Sequence, residues 1–534
     1  MKTTHLIPLL LGMLSTLQAA DRPNVIVVLS DDVGISRVSC YGGSPFETPN
    51  LDMLAATGLR FERCYSMPLC GPSRGVLLTG KYPFRTGYLG NNSSIIDPKR
   101  HLTIANVLQQ SGYATCAIGK LGQSAPEDDA NAPREMGFDE YMLWMGRNTP
   151  DRYWSPRYCQ NGEFVQGRPD QYGPDLTHEF LVDFMRRNRE KPFFVYYSAV
   201  LAHTPFMRTP DTKANTKDRA QILIDMVHYL DKQIGSLVKD LDELGLRDNT
   251  IIIFTSDNGP YGEPLGTIRG QPLDGSKGNV TEGGVREPFI VNCPSRVPRG
   301  RVCPDLTDFS DIFPTVLELA GVSVPIDLKL DGRSIAPQIL GRTGNPREWV
   351  YAQLAGDYFI ADRKYKLYGN GKFTDISDSP AAEKPTKPLD EAAQEAKQRL
   401  AVALGSLRAE RPEMFDDEQV SSKPKRSSIP AKPHATDAEL ADLKVLLEQK
   451  IIDRTDLWIG KSSVDGQQVA NMIVKSASQF TPVATIEQAI DVLQREAIIN
   501  NSGYWKEHAK TGQMCNGTSV SRLIHKIAER LRSR

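Results

Sequence analysis

Asn24-Val25-Ile26-Val27-Val28-Leu29-Ser30-Asp31-Asp32 is the stretch that decides the fold. From Val25 to Leu29 no polar residue interrupts it, and four of those five side chains are β-branched. A strand with one wet face alternates apolar and polar. An unbroken run is what a strand covered on both faces requires, and such strands belong to parallel sheets packed between helices. The run stops at Ser30-Asp31-Asp32-Val33-Gly34. Two adjacent acids there have two readings, the N-cap of a following helix or ligands for a hard divalent cation. Ligands of open α/β sheets gather at the carboxyl ends of strands, which suits the second.

The pattern recurs outward along the chain. Thr48 to about Gly58 and Leu102 to Ser111 read as helices, and Tyr113 to Ile118 as a second strand ending in Gly119-Lys120. Leu176 to Arg187 is an amphipathic helix. Pro192 to Ser198 is a third buried strand, followed by Ala202-His203-Thr204-Pro205-Phe206. Ala220 to Leu244 is a long amphipathic helix. Thr250 to Thr255 is a fourth strand ending in Ser256-Asp257-Asn258-Gly259, and Phe289 to Asn292 a fifth. The alternation predicts an α/β fold with a mostly parallel sheet sandwiched by helices. Asp31, Lys120, His203 and Asp257 each fall just past a strand end, which places them along one crevice.

A different signal lies in Leu69-Cys70-Gly71-Pro72-Ser73-Arg74-Gly75-Val76-Leu77-Leu78-Thr79-Gly80. Pro72 suits a first helical position and Gly80 a helix stop. Cys70 then precedes a helix N-terminus, where backbone N–H groups favour an anion, and Arg74 adds a fixed charge. A lone Cys there would read as a buried packing residue. The spacing Cys-x-Pro-Ser-Arg-x4-Thr-Gly, complete in Cys70, Pro72, Ser73, Arg74, Thr79 and Gly80, resembles the signature of the formylglycine-dependent (type I) sulfatases of the alkaline-phosphatase-like superfamily. The resemblance runs from about Arg22 to Leu407.

That resemblance implies a chemistry. Cys70 would be oxidised to formylglycine by a maturation enzyme, and the hydrated aldehyde would be the nucleophile. Asp31, Asp32, Asp257 and Asn258, with residue 70, stand where the family holds Ca²⁺. Lys120 matches a Gly-Lys motif, and His203 an Ala-His-x-Pro-Phe segment. Lys277, in Gly275-Ser276-Lys277-Gly278 ahead of Glu282-Gly283-Gly284-Val285-Arg286-Glu287-Pro288, matches a third. Arg74, Lys120, Lys277 and His203 would neutralise sulfate oxygens, and His203 or Lys277 would protonate the leaving alcohol. The second hydroxyl of the hydrate would then expel sulfate, an exit that plain Ser or Cys lacks. One position departs from the family. Gly-Lys-x-His-x-Gly is usual after the second strand, and here Gly122 replaces the His, which touches the sulfate-release step. His101, His178 and Gln123 are the candidates to substitute for it.

The chain has 534 residues, with 64 Lys and Arg against 65 Asp and Glu. A formal charge of -1 excludes a nucleic-acid binder driven by overall charge. Lys2, the apolar stretch Leu6 to Leu17 and the small residues up to Ala20 read as a signal peptide, too short for a membrane span. No other stretch is apolar enough to cross a bilayer, so the mature chain is expected to be exported, periplasmic or secreted. Export permits disulfides. With Cys70 modified, seven of the eight Cys remain, so at least one stays unpaired, and Cys293 with Cys303 could close a short loop.

The expected organisation is a signal peptide over 1–20 and a catalytic α/β domain over 21–345. A smaller C-terminal subdomain on a short antiparallel sheet, with a helix, follows over 346–408, then a linker over 409–436 and a helical C-terminal appendage over 437–534. Its basic end, from Arg522 to Arg534, reads as a solvated helix face. The expected function is hydrolysis of a sulfate monoester on a saccharide. Specificity would come from loops 126–151, 153–171 and 261–273. Trp144, Tyr153, Trp154 and Tyr158 stack either on a sugar ring or in the core. Two rivals stand beside it, a phosphonate or phosphate ester hydrolase of the same superfamily and a binder of sulfated glycans without turnover.

Overall fold

The computed structural model describes residues 22–91, 96–122, 129–144, 152–273, 275–377, 383–386 and 389–415, then 463–480, 485–496 and 514–532 with short pieces between 442 and 509. The signal-peptide reading of 1–20, the linker beyond residue 415, Gln123 and most of 437–462 in the expected helical appendage lie outside the described residues. The chain divides into two compact units, Met1–Lys423 and Pro424–Arg534.

In the first unit the main elements are β1 (Asn24–Ser30), α1 (Pro49–Ala56), β2 (Leu59–Tyr65), α2 (Cys70–Thr79), α3 (Ile104–Gln110), β3 (Ala114–Gly119) and β4 (Glu140–Trp144). The hairpin β5 (Arg157–Gln160) and β6 (Glu163–Gln166) follows, then α4 (Gly173–Arg187), β7 (Phe193–Ser198), α5 (Arg219–Glu243) and β8 (Thr250–Ser256). Next come β9 (Arg286–Glu287), β10 (Phe289–Asn292), β11 (Arg301–Asp308) and α6 (Ile312–Leu319). They form an 11-stranded sheet in the order β9-β2-β10-β8-β1-β7-β3-β4-β5-β6, with β11 pairing β2. The run β8-β1-β7-β3-β4 is parallel.

The unbroken apolar runs are explained by two separate cores. Val25, Val27 and Leu29 face one layer, where α2, α3 and α6 contribute Leu77, Leu108 and Phe313. Ile26 and Val28 face the other, against Leu51 of α1, Phe184 of α4 and Leu230 of α5. β7 and β8 divide their side chains in the same alternating way. Each buried aliphatic contributes about 1.5–3 kcal/mol of transfer free energy, so both faces of the central strands stabilise the sheet.

The expected parallel strands are present, but β10 runs antiparallel to β8 and to β2. Its four residues read as a buried strand whatever their direction, so direction was not in the pattern. β2, β11 and the hairpin were not expected. β2 carries Arg60, Glu62 and Arg63 among its apolar residues, which breaks the run that marks a fully buried strand. The expected antiparallel subdomain is β12 (Val350–Leu354), β13 (Asp357–Ala361), β14 (Tyr365–Tyr368), β15 (Phe373–Asp375) and β16 (Lys384–Pro385), paired in chain order. α7 (Glu391–Glu410) follows it, capped by the Asp390 side chain on the Ala393 N–H at 2.8 Å. Cys293 and Cys303 are both free thiols, so the short loop they were expected to be able to close is not closed.

In the second unit β17 (Ser463–Asp465) pairs antiparallel with β18 (Met514–Asn516). α8 (Gly466–Ser478), α9 (Ile486–Arg495) and α10 (Gly517–Arg532) pack through Val469, Ile473, Ile490, Leu493, Leu523 and Ile527. α8 and the strand pair were not expected. Of the basic residues at the end, His525 and Arg532 pair with Asp442, and Arg530 with Glu496. Among the described residues no helix is long and apolar enough to cross a membrane.

Candidate active site

The site is built on the carboxyl ends of β8, β1, β7 and β3, which lie side by side. Backbone bonds continue past the strands and fix where each functional residue begins. Asp31 donates to Leu201 O at 2.9 Å, and Ala202 returns a bond to Asp31 O at 2.8 Å. Asp257 donates to Ser30 O at 3.0 Å and Lys120 to Ser198 O at 2.9 Å. The crevice expected from four strand ends is therefore one stitched rim.

α2 brings Cys70 onto this rim. Here a correction is needed, because the helix starts at Cys70 with Leu69 as its N-cap. Pro72 is the third helical residue rather than the first. The position tolerates proline equally well, since the first intrahelical bond runs from Ser73 N–H to Leu69 O at 3.1 Å and Pro72 N would have no partner. Ser73 Oγ donates to Met67 O at 2.9 Å and accepts from Met67 N–H at 3.0 Å, tying the incoming loop to the helix. Gly80 ends the helix at φ 64°, and a Cβ there would come within 2.9 Å of Phe313. Most of the Cys70 signature thus serves to aim residue 70.

Cys70 Sγ lies 3.6 Å from Asp31 Oδ1, 4.0 Å from Asp32 Oδ1 and 3.1 Å from Lys277 Nζ. Lys120 Nζ is 2.7 Å from Asp31 Oδ2, and Lys277 Nζ 2.5 Å from Asp32 Oδ1. Arg74 is fully buried. Its Nη2 and Nε reach Asp257 Oδ2 at 2.7 and 3.1 Å, and its Nη1 donates to Lys120 O at 2.8 Å and to Ser198 Oγ. His203 Nε2 is 3.7 Å from Asp32 Oδ2, and its Nδ1 is 2.6 Å from Thr204 O. That carbonyl can only accept, so Nδ1 carries the proton and Nε2 turns its lone pair to the site. Cys70, Arg74, Lys120, His203 and Lys277 thus converge on the carboxylates of Asp31, Asp32 and Asp257.

The electrostatics are a balance of burial against opposite charge. Burial pushes the Asp31 carboxyl up, but Lys120, His203, Arg74 and Lys277 together hold it well below the usual carboxylate range. Asp32 is lowered in the same way, burial being outweighed chiefly by Lys277 and His203. Asp257 goes the other way, raised by burial, Cys70 and Asp31 against Arg74. Burial lowers His203 to about 4, so it is neutral at pH 7. Lys277 is buried too, yet Asp32, Cys70 and Asp31 raise it well above the ordinary lysine value.

The donor set also has a shape for a cation. Ligand atoms of Asp31, Asp32, Cys70 and His203 lie within 4.8 Å of one another. Asn258 Nδ2 donates to Asp32 Oδ1 at 2.8 Å, and Asp32 N–H to Asp257 Oδ1 at 3.1 Å. Two buried oxygens, Asp32 Oδ2 and Asn258 Oδ1, have no hydrogen-bond partner among the described residues. Buried oxygens without a donor are unfavourable unless something positive faces them. Carboxylate and amide oxygens are what a hard divalent ion takes.

Neither described histidine offered as a substitute for the absent one joins the group. His178 Nε2 is bound to Asp240 Oδ2 at 2.7 Å, and His101 is flanked by Lys81, Asp97, Arg100 and Arg411. Gly122 has φ 134°, and a Cβ placed on it would meet the Arg74 side chain at 3.5 Å. Two arginines at the site escaped the sequence reading. Arg37 Nη1 donates to Asp32 O at 2.9 Å, and its Nη2 to the carbonyls of Tyr261, Gly262 and Pro264, pinning that loop beneath the site. Arg152 Nη1 lies 3.9 Å from Asp31 Oδ2. Neither falls in a motif or at a strand end, so no local pattern marks it. Of the aromatics, Tyr153 is buried with its hydroxyl on Val200 O and His203 O, and Trp154 packs on Tyr172. Trp144 carries Arg152 on its face, whereas Tyr261 is half exposed near Lys277.

The family model "Sulfatase" matches residues 23–322. Steryl-sulfatase of Mus musculus is 32% identical over 410 residues, which span 60% of this chain and 65% of its own length. N-acetylgalactosamine-6-O-sulfatase of Bacteroides thetaiotaomicron is 29% identical over 451 residues, 69% of this chain and 86% of its own. Among solved structures, Ps i-CgsB in complex with k-i-k-neocarrahexaose superposes with a TM-score of 0.64 at 26% identity, covering 73% of this chain and 93% of that one. A match over more than half of the chain, on the residues that form the sheet and the rim at its strand ends, shows that the protein belongs to the sulfatase family.

Proposed function

We propose that this protein is an exported sulfatase that hydrolyses a sulfate monoester on a saccharide, with Cys70 matured to formylglycine and Ca²⁺ held by Asp31, Asp32, Asp257 and Asn258 together with residue 70. The observation that carries the reading is the position of Cys70 Sγ, between Lys277 Nζ at 3.1 Å and Asp31 Oδ1 at 3.6 Å, at the start of a helix. The saccharide is supported by the names of similar proteins, one an N-acetylgalactosamine-6-O-sulfatase and one solved in complex with k-i-k-neocarrahexaose.

Residue 70, once matured and hydrated, would supply two hydroxyls on one carbon, one for attack on sulfur with the alcohol leaving and one for release of sulfate. A calcium ion held by Asp31, Asp32, Asp257 and Asn258 would supply Lewis-acid polarisation of the sulfate oxygens. The remaining work falls to side chains. Arg74 holds Asp257, the Lys120 backbone and Ser198 in place through four donors of one planar group. Lys120 and Lys277 bring positive charge to where negative charge develops on the ester. Nε2 of His203 faces the site with a free lone pair, so it can take the proton that the attacking hydroxyl loses and return it to the leaving oxygen. Tyr261, half exposed beside Lys277, offers a face for a sugar ring.

The test is the mass of the Cys70 peptide from protein made in a cell that carries the maturation enzyme, together with turnover of paired aryl sulfate and aryl phosphate esters. The expected result is the change from CH₂SH to CHO with preference for sulfate. Preference for phosphate would transfer the protein to the phosphonate and phosphate ester hydrolases. Tight binding of sulfated oligosaccharide with no sulfate released would make it a binder. Chelation is expected to abolish turnover and lower the melting temperature, with both restored by added Ca²⁺.

A further inference from the structure

We propose that Arg152 is a further anion-binding residue of this site, donating through Nε and Nη1 to an oxygen of the substrate's sulfate group. The inference rests on the sulfatase reading and deepens it, because nothing in the Cys70 signature or at the strand ends points to residue 152.

Three observations converge on it. First, Arg152 is 92% buried, being 8% exposed, yet Nε and Nη1 have no hydrogen-bond partner among the described residues. A guanidinium is always charged and presents five donors. Leaving three of them unmade inside the protein is strongly unfavourable, and buried donors without a partner beside the site call for an acceptor from outside the chain. Second, the free edge is aimed at the reaction centre. Nη1 lies 3.9 Å from Asp31 Oδ2, the oxygen that also receives Lys120 Nζ at 2.7 Å. The other oxygen of that carboxylate is 3.6 Å from Cys70 Sγ. At 3.9 Å Arg152 is attracted to Asp31 but makes no hydrogen bond with it.

Third, the side chain is held ready. Its guanidinium lies over the Trp144 ring at 3.9 Å. The next residue, Tyr153, is locked by hydrogen bonds from its hydroxyl to Val200 O at 2.9 Å and His203 O at 2.5 Å. The Arg152 carbonyl packs so closely on Gly173 that a Cβ there would approach to 2.2 Å. Backbone and ring are thus fixed while the donors remain open, which is the preorganisation an anion site needs. With Arg74, Lys120 and Lys277, Arg152 makes four cationic side chains around three carboxyls. That composition suits a bound ion pair of metal and sulfate better than a metal alone.

The test uses the full chain with Ca²⁺ and a Cys70→Ser background, which lacks the second hydroxyl, and inorganic sulfate as the probe in calorimetry. Arg152→Met keeps the apolar stem and removes the donors. It is expected to weaken sulfate binding by about tenfold or more, the loss that follows from one charge-assisted hydrogen bond. Arg152→Lys, which restores charge without the fork, is expected to recover part of it. A purely structural role predicts instead a lower melting temperature with sulfate affinity unchanged, and that result overturns the proposal. If Arg152→Met does not fold, Arg152→Lys decides, since affinity equal to the parent's refutes the need for the planar donors. Parent protein that binds sulfate alongside a variant that binds it equally well removes Arg152 and leaves the sulfatase reading intact. Parent protein with no affinity for sulfate removes both.

Discussion

Arg74→Lys separates charge from geometry at the centre of the site. The guanidinium is 1% exposed and makes two bonds to Asp257 Oδ2, one to Lys120 O and one to Ser198 Oγ, and lies 3.8 Å from Asp31 Oδ1. Lysine keeps the charge but concentrates it on one nitrogen at the end of a flexible stem. From the rim it can replace the contact to Asp257 or that to Lys120 O, not both. At least one charge-assisted bond is lost, together with a buried carbonyl left unsatisfied, at about 1.5–3 kcal/mol each. A net loss of about 3 kcal/mol is expected, which is roughly a hundredfold in kcat/KM if it is felt in the transition state. Because Asp257 would be free to turn, Ca²⁺ affinity should fall as well. The assay is kcat/KM on a sulfate ester at saturating Ca²⁺, with the Ca²⁺ titration and thermal melt run in parallel. A variant within threefold of the parent in kcat/KM and unchanged in Ca²⁺ affinity would refute the idea that the fork, rather than the charge, organises the rim.

Three further outcomes are expected. Gly119→Ala should unfold or severely destabilise the protein, because residue 119 sits at φ 84° and a Cβ would fall 1.9 Å from Ser198 O, parting β3 from β7; a melt like the parent's would refute this. Arg347→Met should cost about 3–5 kcal/mol in urea unfolding. It leaves Asp308 and Asp311, now bonded to Arg347 at 2.6 and 2.5 Å, as unpaired buried carboxyls, and changing both to Asn in the same chain should recover part of the loss. Glu410 is held down to about 2 by hydrogen bonds from Arg85 and Lys329. Its folded pKa lies below its unfolded value, so its stabilisation is present above about pH 4.5 and is lost as pH falls towards 2. The pair is partly exposed, so Glu410→Gln should lower stability by at most about 1 kcal/mol at pH 7, and the two proteins should converge in acid. A difference that persists unchanged at pH 2 would refute the electrostatic origin.

What was legible in the sequence follows from what each signal measures. Burial on both faces writes itself into consecutive residues, so β1, β7 and β8 could be read, and so could the rim that their ends create. Strand direction leaves no such trace, because antiparallel β10 buries Phe289, Ile290 and Val291 as thoroughly as a parallel strand would. β2 and β11 were hidden because charged residues interrupt them, and β11 takes its place through long-range pairing with β2. The Cys70 signature gave position and chemistry together, but as a whole. Only the structure assigns its parts, with Ser73 tying the loop, Gly80 making room for Phe313, and Arg74 reaching across to Asp257.

Arg152 marks the limit of that kind of reading. It lies in no repeat, on no strand end and in no spacing, and a single arginine in a loop carries no local information about what it faces. Its meaning comes from contacts made by distant parts of the chain: Trp144 beneath it, Tyr153 fixed to the loop after β7, and Asp31 in front of it. The same holds for Gly122. In the sequence it is a missing histidine, whereas in the fold it is a backbone at φ 134° that a side chain would adopt only under strain, lying against Arg74. The site has Gly122 after Lys120, and beside the carboxylate that Lys120 binds it holds a guanidinium whose Nε and Nη1 have no hydrogen-bond partner among the described residues. A permanent cation fixed there would favour holding sulfate, and would leave proton transfer to His203, the one histidine that reaches the rim among the described residues.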